Sequence, residues 1–469
     1  MSFKTDRDKT AHLLRRFGLG ASEAELDYYG SDGLAGAIGK LLDCELVAET
    51  FDPDVELFST DKNQLKVQSV QAWWMAKLLT TRRPLIEKMT LFWHDHFATS
   101  AQKVTNGPLL HQQNELIRAN AIGTFRELLR AVSKDPAMLV WLDNQFNVKG
   151  KPNENFAREV MELFSLGIGN YSEKDVQEAA RAFTGWTFRG ATREKLGKYR
   201  KSTFYFDSRK HDSEIKEVLG SKGPFDGDDV LNLLCDEPQT ARYIVTKIWE
   251  WFAYSKPEPG LVERLSASFR KSGLDLKGLL RSIMESPEFY SDKAERSVYK
   301  NPVDFVVPPL RQLGVGALLS ELKPNADGLL DRKQLGPVLG CVQSTKSMGM
   351  NLLFPPDVAG WEGGQYWISS ATMIERIRWA DRIFGLAPAK GVAPTRISFA
   401  PIFEEDPSPR GVVEKLISVF DAPIPVERRA PLIAAAEKAV AGGLTAQTAN
   451  KAAGAVARLI FGSPEFQMA

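Results

Sequence analysis

Between Pro152 and Gly185 the chain reads PNENFAREVMELFSLGIGNYSEKDVQEAARAFTG, and no other stretch limits the possible folds as tightly. Asn153 behind Pro152 is an N-cap, Gly167 is a stop, and Ser172 with Asp175 three residues later opens a second helix, so two helices and a tight turn are signalled at each boundary. On a wheel of about 100° per residue, Leu166, Leu163, Phe156, Val160, Phe164, Ala157 and Met161 sweep roughly 220°, wider than the stripe of an ordinary surface helix. A helix apolar over so much of its circumference has to be enclosed by others. Glu159 falls inside that arc between Leu166 and Leu163, with Asn155 and Glu162 beside it at i−4 and i+3. A carboxylate in such surroundings needs a partner. One solution is an internal ion-pair set, with Arg158 reaching Glu162 at i,i+4 and another arginine reaching Glu159. The other is a polar site whose carboxylates act as hard oxygen ligands or as a general acid and base on a rigid helix.

The helical period runs through most of the remaining chain. Thr10 to Phe17 carries His12, Leu13 and Leu14 and stops at Gly18, Leu34 to Cys44 follows, and Gln64 to Thr80 spaces Val67, Val70, Trp73, Trp74 and Leu78 as a buried helix does. Pro84 suits the first turn of RPLIEKMTLFWHDHFATS. There Leu85, Met89, Phe92, Trp93, His96 and Phe97 share a face, while His94 projects roughly 200° from His96. The wheel therefore turns His96 alone inward, and the two imidazoles cannot chelate one ion while both remain helical. Asp143 and Asn144 close the element before the organising stretch, as a solvated loop or as oxygen donors suited to calcium or magnesium. After Trp186 the period changes. Trp186 to Arg189 and Thr203 to Phe206 are short β-prone runs around a basic loop, a hairpin with His211-Asp212 at its base. Ser344 to Gly364 has little periodicity but is too apolar for solvent, which makes it an ordered strap over the helical body. GLLRSIMESPEFY and AVARLIFGSPEFQ echo one another, an apolar helix ending in Ser-Pro-Glu-Phe twice. The expected fold is mainly α, a large multi-helix bundle with a small β-hairpin insertion near 186–206. An N-terminal helical lobe over 1–300 carries the polar motifs and a C-terminal helical lobe over 301–469 carries the strap at 344–364, or the two form one continuous domain.

Composition removes several function classes. The 59 acidic and 60 basic residues nearly cancel without a long run of either sign, so the electrostatic footprint of a nucleic-acid or anionic-membrane binder is absent. Cys44, Cys235 and Cys341 are far apart and odd in number, which argues against a disulfide framework and against a CxxC metal site. No apolar run reaches the length of about 18 that a membrane span needs, and the N-terminal residues lack the apolar centre of a signal peptide. That points to a cytoplasmic protein as the chain stands and to a periplasmic one if a leader has been removed. A GxSxG elbow, a GxGxxG turn and a Walker loop are also missing, so nucleophilic-serine and nucleotide chemistry have no motif to rest on.

LLRRFGLG, FWHDHF, DPAMLVWLDN, PNENFAREVMELFSLG, YSEKDVQEAARAFTGW, the His-Asp pair before KEVLG, and FPPDVAGWEGG follow one another from about His12 to Phe466. The series resembles the bacterial family catalogued as domain of unknown function 1800. The resemblance implies a largely helical protein in which His96, Asn153, Asn155, Arg158, Glu159, Glu162, His211 and Asp212 occupy the family's polar motif positions. It also implies export of many members and a neighbouring gene for a sulfatase-like protein; the N-terminus here departs from the export pattern. Two functions follow. In the first the chain is a metal-dependent hydrolase, its divalent ion held by His96 and His211 nitrogens with Glu159, Glu162 or Asp212 oxygens, and a metal-bound water as nucleophile. Glu159, Glu162 and Arg158 are then the catalytic groups, and His94, Asp143, Asn144, Asn153 and Asn155 complete the polar site. In the second the chain is a non-catalytic helical partner of another protein, such as the sulfatase-like neighbour, docking through the strap or the hairpin.

Overall fold

The first helices are those the periodicity signals, although α1 starts at Asp6, ahead of the expected Thr10. The computed structural model describes residues 3–59, 64–190, 201–385, 399–440, 443 and 445–469. Thr5 and Asp8 form a capping box that opens α1 (Asp6–Phe17), and α2 (Glu23–Gly30) and α3 (Gly33–Leu42) fold back on it. Then come α4 (Val67–Thr80) and α5 (Pro84–His96), the latter with Pro84 at its first position, followed by α6 (Gly107–Asn120), α7 (Phe125–Ser133) and α8 (Pro136–Trp141). The organising stretch forms α9 (Glu154–Glu162), capped by Asn153, and α10 (Glu173–Ala182), opened by the Ser172–Asp175 box.

The expected hairpin is present: β1 (Trp186–Arg189) pairs antiparallel with β2 (Thr203–Phe206), Trp186 opposite Phe206 and Arg189 opposite Thr203. Most of the basic loop between them lies outside the described residues. A second ribbon, not expected from the sequence, joins β3 (Lys216–Val218) to β4 (Ser221–Gly223). Its two-residue turn puts Leu219 and Gly220 at φ +50° and +76°, the pair of left-handed positions that a tight hairpin turn requires.

The chain continues as α11 (Gly227–Asp236), α12 (Pro238–Phe252), α13 (Pro259–Lys271) and α14 (Leu276–Met284). The last third is α15 (Pro302–Gln312), α16 (Val315–Ser320), α17 (Arg332–Ser347), α18 (Ser370–Phe384), α19 (Pro409–Val419), α20 (Ala430–Ala439) and α21 (Ala446–Gly462). The protein is mainly α. Among the described residues no helix is long and apolar enough to cross a membrane.

Buried side chains form two cores. The first is built on α1, α3, α7, α9, α10, α12 and α14, and the second on α15, α17, α18, α19 and α21 together with α4. Eleven of the 14 residues of α4 are buried, because α6, α15, α16 and α17 surround it. Helix α5 lies between the cores, sending Leu85, Met89, Phe92 and Trp93 into the first and Leu91 into the second. The Ser-Pro-Glu-Phe echo recurs as structure: each copy ends in a short 3-10 turn with a fully buried phenylalanine, Phe289 in the first core and Phe466 in the second.

The strap is shorter than the sequence suggests. Residues 344–347 are the last turn of α17, whose period is masked by Pro337 inside the helix. The irregular part starts at Met348, and Met348, Met350, Leu352 and Leu353 sink into the second core.

Candidate functional site

The wheel of α9 holds for its apolar members and fails in part for its polar ones. Phe156, Ala157, Val160 and Met161 are buried, but Leu163 and Glu159 are only half-buried and Asn155 is exposed. Arg158 does not pair with Glu162. The turn after α9 swings the start of α10 alongside, and Arg158 takes both oxygens of Glu173 at 2.9 and 2.7 Å and reaches back to Glu154 at 3.3 Å. Glu162 instead accepts the Tyr171 hydroxyl. No arginine reaches Glu159, and among the described residues its carboxylate has no hydrogen-bond or ion-pair partner. Burial, and then the charge of Glu162, raises its pKa against the pull of Arg158.

Both histidines of the His94-Asp95-His96 run face inward, which corrects the expectation that only His96 does. A helix between two cores has two inner faces, and the roughly 200° between the side chains gives each core one imidazole. His96, 3% exposed, sits 3.2 Å from the Phe164 carbonyl just beyond α9. A carbonyl only accepts, so His96 carries its proton on Nε2 and its buried Nδ1 is left without a partner. His94, 2% exposed, has the opposite tautomer: its Nε2 accepts the Leu353 N–H at 3.2 Å, which puts the proton on Nδ1. Burial holds His94 down to about 4 and pushes His96 well below the usual imidazole range, so both are neutral. Asp95 accepts the Trp361 N–H at 2.8 Å. The strap comes this close because Gly360 has φ +89°; a Cβ there would stand 2.5 Å from the Asp95 carboxylate. All three side chains of the run thus fasten other segments.

The remaining predicted residues form a knot at the base of the hairpin. Asn147, which the sequence reading passed over, is its centre. Its amide donates to Asn144 Oδ1 at 3.0 Å and to the Ala180 carbonyl at 2.9 Å, its Oδ1 accepts the Asn153 N–H at 3.0 Å, and its carbonyl accepts the Gly185 N–H at 2.9 Å. Asn153 donates to the Asp143 carbonyl at 3.2 Å, while the Asp143 carboxylate pairs with Lys103 at 2.8 Å. His211 donates from Nδ1 to the Thr184 carbonyl at 3.0 Å. Asp212 is bound by Arg181 Nε at 2.8 Å, and its own N–H donates to Thr184 Oγ1. Burial works against the Asp212 charge, but Arg181, the Glu214 N–H and Lys216 together outweigh it and lower the pKa.

Most side chains expected as metal ligands bond other groups in this structure. His96 is on the Phe164 carbonyl, Glu162 on Tyr171, and His211 and Asp212 on Thr184 and Arg181, and among the described residues no three His, Cys, Asp or Glu side chains form a group able to hold an ion. The family described as Protein of unknown function (DUF1800) matches residues 12–468. The chain belongs to that family. No curated protein and no solved structure matches it.

The DUF1800 chain also contains a buried polar seam that was absent from the predicted site and of which only Asp135 lies in a motif segment. Thr99, Gln113 and Asp135 are each at most 2% exposed, and Gln113 Nε2 bridges the other two at 3.1 and 2.9 Å. Asp135 also caps α8 by accepting the Met138 N–H at 3.1 Å, and its Oδ1 is buried without a partner. Burial pushes this carboxyl up to about 7. The signal in the sequence was Asp-Pro at a helix start, which reads as an ordinary cap and carries no sign of depth.

Proposed function

We propose that this DUF1800 protein is a non-catalytic helical binding partner whose polar motifs brace a recognition surface. The observation that carries this reading is where the motif atoms go. His94, Asp95, His96, Asn147 and His211 all bond main-chain groups of segments distant in sequence, so they act as fasteners for the strap, for α9 and for the hairpin base. The segments tied down at the hairpin base present apolar side chains to solvent: Phe146 at 69% exposure, Ile215 at 63% and Phe206 at 37%. Large exposed apolar groups held on rigid backbone suit a protein partner. The sulfatase-like neighbour implied by the family resemblance is the first to test. Co-purified with it, the wild type should form a complex, and Phe146→Ser with Ile215→Ser should abolish that complex without lowering Tm. An unchanged complex with the double variant refutes this surface.

A second reading, hydrolysis assisted by a divalent metal ion, is favoured by Glu159. A half-buried carboxyl with no partner and a raised pKa beside a second carboxylate is suited to proton transfer or to oxygen ligation. Elemental analysis of protein purified without a histidine tag, alongside Glu159→Gln, separates the readings. Loss of bound metal or of hydrolysis at unchanged Tm favours the enzyme; no metal in either protein favours the binding partner.

A further inference from the structure

Where α1 and α15 meet the C-terminal helices, around the two arginines of LLRRFGLG, the fold buries an excess of positive charge. Arg15, Arg16, Lys88, Arg296 and Lys300 lie close enough to act on one another or on the same two carboxylates, Asp304 and Asp421. Arg15 and Arg296 share Asp421 at 2.8 and 3.2 Å, and Lys88 takes Asp304. Glu295 adds its field to Arg296. Arg16 and Lys300, 3% and 8% exposed, are left with no carboxylate at ion-pair distance among the described residues. Arg16 donates only to the Ala294 carbonyl and Ser297 Oγ, at 2.6 and 3.1 Å, and Lys300 Nζ lies 3.6 Å over the Phe466 ring. Arg15 Nε, Arg16 Nε and Nη1, and Arg296 Nη1 are buried donors without acceptors.

Buried donors and charges are ordinarily matched, and cations without partners inside a protein are costly. Burial, with neighbouring arginines adding to it, pushes Arg16 down to about 9 and Lys300 well below the usual lysine range, a shift that a neighbouring anion opposes. Beside the unmatched groups there is space: Arg15, Lys300, Asp304, Asp421, Phe466 and Ala469 line a cavity of about 30 Å³. A single water-sized occupant needs roughly 10–15 Å³ on the same measure. We propose that this cavity binds a small inorganic anion, halide- or phosphate-sized, held between Lys300 Nζ and the Arg15 guanidinium. The anion supplies the charge that Asp304 and Asp421 lack.

The test is thermal unfolding of the full chain in gluconate buffer, titrated with chloride or inorganic phosphate at constant ionic strength. Either small anion should raise Tm along a saturating curve at millimolar concentration, unlike the continuous rise that general salt exclusion produces. Saturation with phosphate alone identifies an oxyanion site, and saturation with both a halide-sized one. Lys300→Met should weaken the apparent affinity at least tenfold. Because that variant removes a buried side chain, a crystal of the wild type soaked in bromide gives an independent result, an anomalous peak between Lys300 Nζ and Arg15. Equal Tm in gluconate, chloride and phosphate, or a cavity filled by the Ala469 carboxylate with no bromide, overturns the proposal.

Discussion

Replacing Asp135 with asparagine should make the protein more stable, and only above mild acidity. The carboxyl is 1% exposed, with one oxygen bonded to the Met138 N–H and Gln113 and the other without a partner, and burial moves its pKa from 3.8 to about 7. Between those values the folded protein retains a proton that the unfolded chain has released. Stability from this group therefore falls as pH rises from about 4 to about 7 and is level above that. At about 1.4 kcal/mol per tenfold in proton affinity, the full loss is roughly 4 kcal/mol. Asparagine keeps the shape and the capping oxygen and cannot ionise. Urea unfolding followed by circular dichroism at pH 4, 6 and 8 should show Asp135→Asn within about 1 kcal/mol of wild type at pH 4 and about 2–4 kcal/mol more stable at pH 8. Part of the wild-type slope should persist in the variant, because burial also pushes Asp95 up to about 7. A variant less stable than wild type at pH 8, or a difference that does not change with pH, would refute the reasoning by showing that Asp135 is ionised in the fold.

Three other substitutions probe the joints between segments. His94→Ala removes the acceptor of the Leu353 N–H and leaves a void, a loss of roughly 2–4 kcal/mol, and limited proteolysis should then cut at 349–361 before any other site. Arg118→Met strands Glu87, 3% exposed, whose two oxygens Arg118 holds at 2.5 and 3.1 Å; unfolding should show a cost of about 3–5 kcal/mol, and adding Glu87→Gln should recover part of it. Gly227→Ala opposes helix propensity, which favours alanine by about 1 kcal/mol, to a Cβ that would meet the Trp186 ring at 2.2 Å. Destabilisation with an altered near-ultraviolet tryptophan signal is expected, and a rise in Tm would mean that the ring can move away.

Helices were legible because period, caps and proline act locally, as at Pro84, Asn153 and Ser172. Helix α17 was not, since Pro337 interrupts its pattern while α4 and α15 provide packing that no local window contains. The wheel located Phe156 and Val160 correctly but assumed that each helix has one inner face, an assumption that α5 breaks at His94. It also placed Glu159 deeper than it lies, because an apolar arc says nothing about where neighbouring helices end. Asn147, Asp135 and Arg181 escaped for a related reason. Each owes its role to partners brought up by the fold, and a lone asparagine, capping aspartate or arginine looks the same in a sequence whether it ends in solvent or in a core.

The enclosure of α4 has a consequence for the order in which the chain is made. Its tryptophans leave the ribosome early, whereas α15 and α17, which cover them, begin more than two hundred residues later, at Pro302 and Arg332. For most of synthesis this largely buried helix has α6 beside it but lacks α15, α16 and α17, and the nascent chain must shield the uncovered apolar surface by transient contacts or by chaperones. Truncation near residue 300 would make that passing state permanent, yielding an aggregating fragment even though the whole first core had been synthesised.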